Sequence, residues 1–338
     1  MYNHDYQPVS DARTGFLQAL LGDGRPLLTF VGLSLILSGG FALFLSATHH
    51  FLPHDIEFLG ISEIELCAIQ DCRIVHFMFH DRTAFGGALI AVGTMYLWIV
   101  AFPLRRGAAW AWWLLMVSGV IGFGSFLAYL GYGYLDTWHG AATLILLPAF
   151  VFGLAKSFFY LREPKHIKSL LTPSARLSWK SASDIGRICL LVTASGMILG
   201  GLTIMFVGMT SVFVPQDLEF MNLTVDGLKA ISPRLVPLIA HDRAGFGGAL
   251  ATCGITVLFC VWCSAPSRSL WQALCIAGAA GFATAIGVHP IIGYNNVSHL
   301  FPAILGLFIF IGGLMLSYKT MYLGSESENS SSQVPNDV

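Results

Sequence analysis

Charged side chains are scarce in this 338-residue sequence: Asp, Glu, Lys and Arg together make up 11% of it, against roughly 25% in an average soluble domain. That scarcity excludes an ordinary soluble enzyme. The balance of 18 Lys and Arg against 19 Asp and Glu, a formal net charge of −1, excludes the basic surface on which nucleic-acid binding rests. The long apolar runs also lack Arg, Asp or Glu at their middles, where a proton- or ion-coupled transporter commonly keeps such a group. Residues 1–25 hold no short apolar segment followed by a small-residue cleavage site, so a removed signal peptide is not expected.

What is present is hydrophobic, at 55% of residues, gathered into runs near 27–49, 84–103, 109–131, 139–160, 188–213, 244–264, 271–289 and 299–318. About 20 apolar residues in helical form cross a bilayer core. Runs this long and continuous are helices rather than the short alternating strands of a barrel. The fold class expected is therefore all-α integral membrane, with eight transmembrane helices. If both termini lie inside, thirteen Lys and Arg fall on inner segments and five on outer loops, as positive residues are retained on the cytoplasmic side. The expected setting is a bacterial inner membrane, N-in and C-in.

An internal duplication organises the chain. HDRTAFGGALIAVG from His80 returns as HDRAGFGGALATCG from His241, PHDIEF from Pro53 as PQDLEF from Pro215, and RIVHFMFH from Arg73 as RLVPLIAH from Arg234. GYLDTWH ending at His139 matches GYNNVSH ending at His299. Residues 27–160 and 188–320 read as two copies of a four-span unit, joined by a basic linker at 161–187 and flanked by tails at 1–26 and 321–338, the second polar and disordered. Four spans are an even number, so the repeat is parallel, and two parallel four-helix bundles are expected.

Polar chemistry gathers at the outer boundary, which holds eleven of the acids, Asp136 among them. His80 and His139 open the second and fourth spans, and His241 and His299 the sixth and eighth. Facing imidazoles on bundle helices can take both axial positions of a haem iron, and Arg82 and Arg243 could reach its propionates. A single interfacial histidine is more often structural, and the duplication shifts that balance. A zinc site from His54, His76 and nearby acids is open to the first half only, since Gln216 and Pro237 stand opposite. Asp81 and Asp242 read as span anchors or site residues. Asp55 and Glu57, like Asp217 and Glu219, read as helix caps or solvated acids before a divalent-ion site. Gly86, Gly87, Gly247 and Gly248 allow close helix approach. Cys67 and Cys72 share one outer loop, where an oxidising compartment would favour a disulfide.

Eight spans in two units, a histidine opening the second and fourth span of each, HLFPAIL from His299 and a cysteine pair in the first outer loop alone together resemble the haem A synthase family, which has His-Arg where this chain has His-Asp-Arg. The resemblance covers about 27–320 and implies haem at His80 with His139 and at His241 with His299, with Cys67 and Cys72 as the loop pair. That family has a glutamate three residues before the first histidine, where this chain has Phe77 and Leu238, which puts haem hydroxylation in doubt and leaves haem binding and electron transfer. The expected function is redox work on haem near the outer face, with quinol or another redox protein as partner. The other reading is a cofactor-free transporter or scaffold that uses the HDR motifs and acidic loops.

Overall fold

The computed structural model describes residues 21–127, 137–162 and 164–323 together with Gly15 and Tyr134. Most of the N-terminal tail, the C-terminal tail beyond Leu323 and Asp136 lie outside the described residues. Among those described, every regular element is a helix: α1 Arg25–Thr48, α2 Pro53–Leu59, α3 Glu63–Cys67, α4 Arg73–Ala101, α5 Ala109–Leu127, α6 Thr137–Phe158, α7 Ala182–Met209, α8 Pro215–Met221, α9 Val225–Ile231, α10 Leu235–Cys263, α11 Arg268–Ile292 and α12 Val297–Tyr318. Eight of these, α1, α4–α7 and α10–α12, are long and apolar enough to cross a membrane. At 1.5 Å per residue the 24 residues of α1 reach about 36 Å, enough for a hydrocarbon core of about 30 Å.

The second and sixth spans begin at Arg73 and Leu235, not near 84 and 244. His80 and His241 therefore lie about two turns inside their helices instead of opening them. The helices run on through these polar residues because the Asp and Arg beside each histidine pair with one another and need no water.

Helices α4 and α10 are the most enclosed of the eight and touch each other. Helix α4 also packs on α1 and α11, and α10 on α7 and α5. Consecutive residues on a helix are turned by about 100°, so a Gly-Gly pair serves two neighbours at once. Gly86 meets Gly39 of α1 while Gly87 meets Ala280 and Thr284 of α11; Gly247 meets Gly201 of α7 while Gly248 meets Ser125 of α5. Close packing, as expected of these glycines, is what they do. The two halves are interleaved as a result: α4 has α11 as a neighbour, and α10 has α5, in place of two separate bundles.

The segments 50–72 and 210–234 cover one end of the assembly, called the loop end below. An apolar layer that includes Phe51, Leu66, Phe77, Met221 and Leu238 seals it. Arg73 donates to the Phe220 carbonyl at 3.3 Å and Arg234 to the Phe58 carbonyl at 2.7 Å. Each arginine thus holds the short loop helix that belongs to the other half. Cys67 and Cys72 are joined by a disulfide.

Candidate histidine centres

The His-Asp-Arg run of α4 lies against that of α10, and the two are cross-linked. Arg82 donates to Asp242 through Nε at 2.8 Å and to Asp55 through Nη1 at 2.8 Å. Arg243 donates to Asp81 through Nε at 3.1 Å, and through Nη1 to Asp217 at 2.5 Å and to the Val212 carbonyl at 2.8 Å. Asp55, Asp81, Asp217 and Arg243 are buried, so these pairs are far from the span anchors exposed to headgroups that the sequence allowed. Asp55 and Asp217 also accept from the backbone N–H of Leu52 and Val214 at the starts of α2 and α8. They are caps, as expected, but enclosed rather than solvated. Glu57 and Glu219 point out to solvent and take no part in this network. Helical phase explains the split, because two residues along a helix is a turn of about 200°.

Two tyrosines complete the network. Tyr134 donates to Asp55 Oδ1 at 2.5 Å and Tyr294 to Asp217 Oδ1 at 2.8 Å. Burial alone would raise the Asp55 carboxyl, but the Arg82 charge and the hydrogen bonds from Arg82 and Tyr134 outweigh it and hold the group below its ordinary 3.8. Burial, then the Asp217 carboxylate, pushes the Tyr294 phenol well above its ordinary value, so it stays a donor.

His80 sits where the two halves meet. Its Nδ1 is 2.9 Å from Asp81 Oδ1 and its Nε2 is 3.1 Å from Nε2 of His289 on α11. Helix α11 ends at Gly293, whose φ of 78° is a left-handed conformation that glycine adopts without strain. That reversal brings the Tyr294 carbonyl to 2.7 Å from His289 Nδ1. His299, at the start of α12, completes the group: His80, His289 and His299 each offer a ligand atom, all within 4.8 Å of one another. Phe77, three residues before His80, stacks on it with the rings 8° from parallel, and its ring also lies under the Arg243 guanidinium.

His241 is built differently. Its Nδ1 is 3.0 Å from Asp242 Oδ1, matching His80, but its ring neighbours are Tyr134 and His139 of the first half, each with its ring centroid 5.2 Å away. The histidine pairs thus differ from those the family resemblance implies: His80 stands beside His299, and His241 beside His139. The reason is the packing of α4 on α11 and of α10 on α5, which carries each central helix to the other half's partners. A cavity of about 250 Å³ opens beside His139 and His241, between α1, α4, α5, α6 and α10. Val31 and Tyr96 line one end and Asp55 and Arg82 the other, with mostly apolar walls between.

Sequence reasoning missed His289 and the two tyrosines. Each tyrosine lay inside a matched segment, Gly-Tyr before the histidine of the fourth and eighth spans, and served there only to set the alignment. His76 lies against His49, with ring centroids 5.6 Å apart, and His54 against Asp55 at 3.8 Å; neither belongs to the close ligand group. Comparison with protein-family models, with curated proteins and with solved structures finds no match, so no activity is carried to the chain from a relative.

Proposed function

We propose that the chain is a duplicated four-span protein of a bacterial inner membrane that does redox work at its outer face, with haem held between His139 and His241. On this reading both termini lie inside and the loop end faces out. The observation that carries it is the placing of two imidazoles from different halves, one ring 5.2 Å from the other, at the polar head of an apolar cavity. Two imidazoles are the donor set of a bis-histidine haem, the rings having to part to admit the iron, and Gly245 on the cavity wall, where a Cβ would meet only Phe85 at 4.0 Å, leaves room for a flat group. The set at His80 suits one less: a third ring, that of His289, stands with its Nε2 3.1 Å from Nε2 of His80, where a macrocycle between His80 and His299 would have to lie. Haem is therefore proposed at one centre, not two.

When bound, the haem would supply a one-electron couple tuned by its axial ligands and surroundings. The chain's own residues do the rest. Asp242 accepts a hydrogen bond from the Nδ1–H of His241, which fixes the ring and makes Nε2 the nitrogen that would ligate. Phe85, Phe123 and Phe126 wall the cavity and keep water from it. Arg82 lies at its head, already shared by Asp55 and Asp242, so it sets the local charge more than it offers a free hand to a propionate. The reach of the cavity from Tyr96 to Asp55 favours a second reading, in which a lipid-soluble quinol lies there with its head at His139 and His241 as electron donor.

Haem content decides between these readings and their rival. Protein purified from cells supplied with haem is expected to carry one haem per chain. No haem, and no electron transfer from a quinol, would move the function to a cofactor-free transporter or scaffold.

A further inference from the structure

The centre at His80 poses a problem that the haem reading leaves untouched. Asp81 is a carboxylate paired to Arg243, so the Nδ1 of His80 beside it carries a proton, and unless the ring holds a second proton its Nε2 has only a lone pair. The Tyr294 carbonyl can only accept, so His289 Nδ1 carries a proton too, and its Nε2 is likewise bare. Two lone pairs thus face each other across 3.1 Å in a buried place, which repels unless a cation lies between them. The surrounding charge calls for one as well. Asp81 and Asp217 share the single guanidinium of Arg243, leaving one negative charge unbalanced where burial makes this costly.

We infer that His80, His289 and His299 bind one divalent transition-metal ion of the zinc or copper type, with a fourth position left open. Three imidazoles suit these ions. Ligand nitrogens about 2.0–2.1 Å from a tetrahedral ion stand about 3.3 Å apart, close to the 3.1 Å between His80 and His289. His299, partly exposed, need shift only modestly, since its ligand atom already lies within 4.8 Å of the others. The outer partners are those that orient metal-bound histidines, a carboxylate on one ring and a backbone carbonyl on another. Three protein ligands with a fourth position free is the arrangement of sites that act on a bound molecule, whereas purely structural sites are closed by four. Among the described residues no comparable group of three ligands forms around His139 and His241.

The test uses the full-length protein in detergent, stripped with a chelator and titrated with Co²⁺ and then Zn²⁺. One ion per chain is expected, with a cobalt absorption band that Zn²⁺ displaces. His289→Ala and His299→Ala should each weaken binding at least tenfold, while His139→Ala binds as the parent does. His299 stands outside the ion-pair network, so His299→Ala with an unchanged melting temperature separates lost ligation from lost folding. No cobalt band in the parent protein, or undiminished binding in His299→Ala, would overturn the site and leave a proton shared by His80 and His289. The haem reading stands or falls separately, on His139 and His241.

Discussion

Nε2 of His80 lies 3.1 Å from Nε2 of His289, although 209 residues separate them along the chain. The contact exists because α4 packs on α11, across the boundary between the two halves. The same exchange on the other side sets His241 against His139. Both centres are therefore products of the whole chain, and the cross-linked Asp and Arg residues between them hold the halves in register.

Arg243 is the part of that network with most to lose. It is buried and serves two carboxylates, so Arg243→Met would leave Asp81 and Asp217 uncompensated at a cost of about 3–5 kcal/mol. Adding Asp81→Asn and Asp217→Asn to the same chain should recover part of the loss. Denaturant unfolding of the three proteins checks this, and a cost below about 1 kcal/mol for Arg243→Met would mean that water reaches the pair.

Adjacent glycines on α1 should behave in opposite ways. A methyl group at Gly39 would run into the Gly86 carbonyl and Ile90, whereas one at Gly40 meets nothing within 4 Å. Gly39→Ala should cost roughly 1–3 kcal/mol through overpacking, and Gly40→Ala should stay within about 0.5 kcal/mol of the parent. Melting temperatures measured side by side in one detergent give the comparison.

Acid should weaken the protein through Asp55. Its carboxyl is held below the ordinary 3.8 in the folded chain, so the unfolded chain binds protons more readily there. The stability that Asp55 contributes is complete above that ordinary value and is lost as pH falls below it, through the folded value. Asp55→Asn should be less stable than the parent near neutral pH and show a flatter decline below pH 3.8. An identical acid profile in both proteins would remove Asp55 from the account.

Much of this is legible in the sequence. The count of spans follows from the apolar runs, and the packing glycines and the loop cysteines follow from residue type and place. His80, Asp81, Arg82 and their second-half equivalents were marked by their recurrence. Which helix meets which was not readable: recurrence says that two positions are equivalent and is silent on whether each faces its own half or the other. The starts of α4 and α10 lie earlier than the apolar runs suggest for a related reason, since a polar run looks like a boundary until its charges are known to pair. His289 had no counterpart to call attention to it, as Ser125–Tyr134 of the first half contains no histidine. Its signal was its position at the end of an apolar run, where an ionisable side chain commonly has a task.

The central claim, that His139 and His241 together hold a redox haem, is tested most directly by reduced-minus-oxidised absorption spectra. The samples are the detergent-purified protein and its His80→Ala, His139→Ala and His241→Ala variants, all made with haem supplied. A low-spin haem spectrum that His139→Ala and His241→Ala abolish and His80→Ala retains is the predicted result. A flat spectrum from the parent protein, or a haem band lost in His80→Ala and kept in His241→Ala, would contradict it.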